Sequence, residues 1–286
     1  MVMFRSLNTG FLGFETDVET AVQAAVDGGF QGVDLVAKQT YTLARDDEAA
    51  QVRALFAENH IRPGCFALTP GNALADEAEW TRDLDGLPDL CVGMSTAGFR
   101  RALMVLLPFH GSLDYDTNFV HHRERIRQVA EVLEPSGIRL GLEYISPLTR
   151  RQGYRHHFVS DMAGALALRK AVDRPNVGIF LDCFHWYCAA ETESDILALA
   201  AEDVVGVHIC DAVRGRSIAE QLAFERELPG ATGIIPLTPF LGALDAIGYD
   251  GPVSCEPMSE SLARIPLHEA VGRTVTAMDA TMGKTV

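Results

Sequence analysis

Four apolar runs in the second half of the chain, residues 138–143, 177–182, 204–208 and 252–256, end in Glu143, Asp182, His208 and Glu256. Short runs rich in Val, Ile and Leu read as buried strands. A strand that crosses a core and surfaces with a carboxylate or an imidazole delivers that group to whatever lies at its end. Few architectures align four such ends. Parallel strands joined by helical crossovers do, because their carboxyl ends all lie on one side.

The first half repeats the alternation. Residues 3–8, 32–36, 62–68 and 101–107 read as strands, and 17–27, 47–59, 75–98 and 118–133 as helices. Over 17–27, Val18, Ala21, Val22, Ala25 and Val26 recur at helical spacing, and Gly28-Gly29 then stops the helix. Further helices are predicted over 159–172, 194–201, 237–247 and 267–282. Eight strand–helix units in 286 residues predict an α/β protein, a single (β/α)8 TIM barrel spanning 1–286, in preference to a doubly wound sheet. No Pro/Ser-rich linker, charge block or low-complexity tract marks a boundary.

Two connections are long: 144–159, with Arg150, Arg151 and Arg155, and 209–236. Loops of this length in compact domains usually cover a functional site. Both follow strands, which places them at the catalytic face of a barrel.

Parity tests whether the four polar ends can converge, since successive side chains on a strand alternate faces. Glu143 shares a face with Gly141, Asp182 with Phe180 and Gly178, His208 with Gly206 and Val204, and Glu256 with Ser254. Leu140, Leu142, Ile179, Leu181, Val205, Val207, Val253 and Cys255 fall on the opposite faces. The aliphatic sets can face the helices while the polar ends face the axis. The small residues Gly141, Gly206 and Ser254 are expected to leave room at the mouth.

Three carboxylates brought together unpaired would raise one another's pKa, and a divalent cation removes that penalty. One carboxylate-and-imidazole site of this composition suits a single Mn²⁺, Mg²⁺, Co²⁺ or Zn²⁺, with Mn²⁺ as the leading expectation. Weaker candidates surround it. His185 lies just past Asp182, His110 just past the fourth strand, and Trp186 and Tyr187 can wall a sugar pocket or pack. Cys183 and Cys255 are expected to pack in the helix shell, and Cys210 shares the parity of His208.

The charge balance narrows the partners. With 39 acidic and 24 basic residues the net charge is −15, which disfavours nucleic acid and anionic membrane surfaces. No apolar run reaches membrane-spanning length and residues 1–13 lack a secretory apolar segment. Six cysteines without CxxC spacing read as a reduced, cytoplasmic protein. A small-molecule substrate is expected, with a homo-oligomer or an accessory-subunit role left open.

These residues resemble the xylose-isomerase-like TIM-barrel superfamily of sugar (phosphate) isomerases and epimerases. Leu-Gly-Leu-Glu143 is similar to its fifth-strand glutamate, and Leu-Asp182-x-x-His185 to its D-x-x-H step. Val-His208-Ile-Cys-Asp211 resembles its V-H-x-x-D, and Glu256 in Cys-Glu-Pro its last glutamate. Arg226 ahead of Leu-Pro229-Gly230 resembles R-x-x-P-G, whose arginine contacts substrate. The Pro-Gly-Ala-Thr-Gly233 turn and the 208–226 segment are longer than in ketose epimerases, so the family's substrates do not carry over. Phe224-Glu225-Arg226 stands where the distantly related endonuclease IV would have D-x-H, which argues against DNA repair.

The resemblance implies metal-assisted proton transfer through an enediolate. Glu143 and Glu256 would exchange the proton and also bind metal, with Asp182 and His208 as the other ligands. His185 and Arg226, with His110 and Trp186 further out, would contact a sugar or cyclitol substrate. The same intermediate can instead expel a substituent, as in inosose or dehydroshikimate dehydratases and in enzymes cleaving 3-oxo-glycosides, so a lyase is the alternative.

Overall fold

A computed structural model describes residues 3–43 and 46–283. Eight parallel strands close into a barrel: β1 (Phe4–Leu7), β2 (Gly32–Leu35), β3 (Arg62–Asn72), β4 (Arg101–Leu106), β5 (Arg139–Tyr144), β6 (Val177–Asp182), β7 (Val204–Ile209) and β8 (Pro252–Cys255). Each strand pairs with its neighbours in sequence, and β1 closes the ring against β8. The expected (β/α)8 barrel is the architecture found.

Helices Val18–Gly28, Asp46–Glu58, Glu77–Ala97, Tyr115–Leu133, Met162–Val172, Leu237–Ala246 and Leu267–Met282 are prominent in the outer ring. Several start where the sequence supplies a capping carboxylate. Asp17, Asp76, Asp114 and Asp161 each accept from the backbone N–H three residues on, satisfying a donor the helix cannot. The helix expected over 118–133 starts a turn earlier for this reason. Gly29 and Gly98 end their helices in the left-handed conformation.

Registry places Leu140 beside Val177 and Leu142 beside Ile179, an aliphatic row fully buried beneath the helices. Gly141 lies beside Gly178, and Glu143 beside Phe180, on the inward side. Two expectations about this interior are corrected. Between Ile179↔Val204 and Phe180↔Gly206 the register shifts, so Val205 is an extra residue on β7. Its side chain turns into the barrel: Cβ atoms built on Gly141 and Gly178 would come 2.9 Å from Val205 Cβ and 2.8 Å from its Cγ2. Val204 then joins Ile179 on the outer face.

The small residues also do not leave space at the mouth. Phe180, 1% exposed, fills it, and a Cβ on Gly206 would lie 2.3 Å from Phe180 Cε2 and 2.7 Å from Cys65 Sγ. Gly206 is thus the socket for a ring that lies 4.4 Å, centroid to centroid, from the imidazole of His208. Gly206→Ala overpacks this contact and is expected to destabilise the fold by about 1–3 kcal/mol. Urea unfolding measures the loss, and adding Phe180→Leu should recover part of it.

Candidate metal-centred active site

Registry carries the four polar strand ends to one place. Asp182 pairs laterally with His208, Ser254 with His208, and Glu143 with Phe180, so the inward positions form one layer at the strand ends. Glu256 sits one residue past β8, held there by its N–H on Ile209 O at 3.0 Å. One donor atom from each of Glu143, Asp182, His208 and Glu256 lies within 4.8 Å of the others, and all four side chains are buried.

The spacing tests whether an ion fits. His208 Nδ1 is 3.1 Å from Glu143 Oε1 and 3.3 Å from Glu256 Oε2. Ligand bonds of about 2.1 Å set adjacent donor atoms about 3.0–3.4 Å apart in octahedral to tetrahedral geometry. The donor set suits a divalent ion in chemistry, and its span of at most 4.8 Å would let one atom of each side chain close on an ion. Asp182 is prepared for a second role by the turn that follows it. Its Oδ1 accepts from Phe184 N at 2.7 Å, capping the short helix Cys183–Cys188, while Oδ2 faces Arg226.

Arg226 joins the cluster directly. Its Nη1 donates to Asp182 Oδ2 at 2.7 Å and to Glu256 Oε2 at 2.8 Å, and its Nε donates to Ala223 O at 2.8 Å. The guanidinium lies 4.5 Å over the Phe184 ring. His185, also buried, places Nε2 3.4 Å from both Asp182 Oδ2 and Arg226 Nη2. Arg226 and His185, expected to contact substrate, are therefore brought to the four candidate ligands.

Burial and charge separate the protonation states. Burial raises the Glu143 carboxyl to about 7 against the opposing pull of His208, with Glu256 and Asp182 raising it further. Burial also opposes ionisation of Glu256, but Arg226 and His208 outweigh it and hold that carboxyl well below the usual range. His208 is driven up by Glu256 and Glu143 despite desolvation. For His185 desolvation wins, lowering it to about 4.

Trp186 is not at the site. The helix that opens at Cys183 carries it around to the core, where its indole donates to Thr192 O at 3.2 Å and packs edge-on to Phe240 at 5.3 Å. His110 lies on a two-stranded ribbon, Phe109–His110 against His156–His157, and its Nδ1 accepts from Ser112 and Leu113 N–H at 3.0 and 2.8 Å. It closes its own turn and stands among His121 and His156. Cys183 turns toward the neighbouring strand, with Cys210 N–H donating to its sulfur at 3.2 Å. Burial pushes the Cys183 thiol up, which keeps it protonated and a poor ligand.

Two further residues support the cluster from elements outside the four strand ends. Asp34 on β2 is 3% exposed and sits one layer below the cluster, accepting from Ser6 Oγ and Ser254 Oγ at 2.5 Å each and from Cys65 N–H at 2.8 Å. Burial raises its pKa despite these donors. Its parity with Gly32, opposite Val33 and Leu35, is the signal that the sequence carries for it. Phe11 is the other: its ring stands edge-on to His208 at 4.9 Å. An isolated Phe in a Gly-rich stretch carries no such signal.

Asp211, three residues past His208, organises the long 209–236 loop. Its carboxylate accepts from the N–H groups of Ala212, Thr232, Gly233, Ile234 and Ile235 at 2.7–3.2 Å. Its backbone also pairs with Glu227, next to Arg226. Asp211→Ala strands those donors and is expected to cost about 2–3 kcal/mol. Hydrogen exchange should show the loss concentrated in amides 232–235.

The chain belongs to the xylose isomerase-like TIM barrel family, whose model matches residues 22–280. It is similar to inosose isomerases from Halalkalibacterium halodurans (27% identity, 55% of this chain and 51% of that one) and Bacillus velezensis (23%, 84% and 82%). It is also similar to a ketose 3-epimerase from Arthrobacter globiformis (29%, 51% and 44%). The matches thus span about half the length of two of these relatives. Among solved structures, a xylose isomerase domain protein from Alicyclobacillus acidocaldarius superposes with a TM-score of 0.87 at 30% identity over 98% of both chains. The IolI protein, solved with a bound zinc atom, shares the fold at 17% identity, with a TM-score of 0.80 over 99% of this chain and 100% of its own.

Proposed function

We propose that this chain is a divalent-metal-dependent isomerase or epimerase of a sugar or cyclitol that moves a proton on the carbon beside a carbonyl. The observation that carries the reading is the pair Glu143 and Glu256, which approach His208 from β5 and from the end of β8 at 3.1 and 3.3 Å. Carboxylates arriving from separated strands would reach a substrate from two sides, which is the arrangement proton exchange requires. A protein that only bound a sugar would gain nothing from burying this much like charge. Relatives named as inosose isomerase and ketose 3-epimerase support a carbonyl-bearing cyclitol or sugar.

Glu143, Asp182, His208 and Glu256 would hold the ion, Mn²⁺ foremost. A bound ion would supply Lewis acidity toward the substrate's carbonyl oxygen. One of Glu143 and Glu256 takes the proton from the carbon beside the carbonyl, and the other returns one to the opposite face or to the neighbouring carbon. Asp182 and His208 keep the geometry fixed. Arg226 and His185 donate to substrate oxygens and exclude water from the same space.

Elemental analysis of purified protein should find about one divalent ion per chain, with affinity falling at least about tenfold in Glu256→Gln or His208→Ala. Incubation of ketoses and inososes in D2O with Mn²⁺, quenched with chelator and read by NMR, should show deuterium at the carbon beside the carbonyl. Glu143→Gln should slow that exchange by at least about 100-fold. Full turnover by metal-free protein would overturn the reading, and release of a substituent without exchange would make the enzyme a lyase.

A further inference from the structure

The two basic side chains that touch the candidate ligands differ in kind. An imidazole can hold its place without a charge, because one ring nitrogen can give up its proton. A guanidinium cannot, since it stays charged throughout the range in which proteins fold. Wherever Arg226 is fixed, one positive charge is fixed with it.

The surroundings of Arg226 leave it little freedom. Nη1 donates to Asp182 Oδ2 at 2.7 Å and to Glu256 Oε2 at 2.8 Å, so it touches two of the four candidate ligands. Nε is held by Ala223 O at 2.8 Å, and the guanidinium lies 4.5 Å over the Phe184 ring. The side chain is 3% exposed. The next residue, Glu227, is tied to Asp211 by backbone hydrogen bonds of 2.8 and 2.9 Å. Other arginines of the long loops are engaged elsewhere: Arg214 at Thr232 O, Arg216 at Glu225 and Arg150 over the Phe224 ring. Among the described residues, Arg226 is the one arginine or lysine paired with the cluster's acids.

A charge count then discriminates between ions. Glu143, Asp182 and Glu256 bring three negative charges when ionised, within a cluster whose donor atoms lie no more than 4.8 Å apart. Arg226 cancels one. Two remain with the imidazoles neutral, which is the charge that one divalent cation balances. The same ligands without the guanidinium would balance a trivalent cation. Unbalanced charge is expensive in a buried site, so the difference selects. We propose that Arg226 sets the charge of the ion this site accepts, making it a site for divalent cations and turning trivalent cations away. Its repulsion acts on an ion in proportion to the ion's charge, so it weakens a trivalent ion half again as much as a divalent one. The inference rests on the proposed metal-dependent reading but concerns binding alone, so its test needs no substrate.

Calorimetric titration of chelator-treated protein with Mn²⁺ and with Lu³⁺, a closed-shell trivalent ion of similar size, gives an affinity ratio in which ligand geometry largely cancels. Arg226→Gln keeps a hydrogen-bond donor but removes the charge, and should raise the Lu³⁺-to-Mn²⁺ ratio at least about tenfold. Arg226→Lys retains the charge and should keep the ratio near that of the wild type. Arg216→Gln, on the same loop but paired with Glu225, should leave it unchanged. A ratio that stays put or falls in Arg226→Gln, or rises as much in Arg226→Lys, would overturn the proposal. Should Arg226→Gln fold only around an ion, recovery of its circular dichroism at lower Lu³⁺ than Mn²⁺ supports the proposal and the reverse order overturns it. Wild-type protein that binds neither ion would sink the metal-dependent reading and this inference with it, whereas Mn²⁺ binding with an unmoved ratio would sink only the role of Arg226.

Discussion

Three carboxylates held within a few ångströms in a dry interior are the constraint that the rest of this structure serves. Each would be protonated or repelled if its neighbours were only other acids. The barrel supplies cations in fixed positions: His208 between Glu143 and Glu256, and Arg226 between Asp182 and Glu256. The distribution is uneven, which is why Glu256 is held ionised while Glu143 rises to about 7. A divalent ion would balance the same charge with His208 neutral, and one donor atom from each of the four side chains lies within 4.8 Å of the others.

That concentration of charge needs a rigid support. Phe180 presses on the His208 ring from within the barrel, and Phe11 meets it edge-on. Beneath them Asp34 ties β1, β2, β3 and β8 together through Ser6, Cys65 and Ser254. A Cβ at Gly64 would come within 1.9 Å of the Asp34 carboxylate, so that strand must carry glycine there. The layer below the site is itself a buried polar network, whose full satisfaction fixes the registry of the strands that carry the ligands.

The barrel and its four candidate ligands were legible because both follow from period. Alternation by twos sorts strand side chains into inside and outside, and the four polar ends fall on the inside by that count alone. Where period is broken, the sequence is silent. The register shift at Val205 inverts one residue, and nothing in Val-Val-Gly-Val announces it. By sequence Trp186 can wall a pocket or pack; Asp182 caps the helix that follows it and sends the indole into the core, which decides for packing. The small residues Gly141 and Gly206 looked like open space because the volume of Phe180 belongs to a different strand. Such contacts are set by three-dimensional packing and leave no local mark.

The stitching at Asp211 has a consequence for how such a site can change. Asp211 pairs with Glu227 on one side and grips residues 232–235 on the other, so both ends of the excursion from 212 to 226 are anchored to one point just past β7. Length and sequence can vary within that excursion while Arg226 stays registered to the ligands. The outer part of the loop can thus drift while the buried charge cluster holds still.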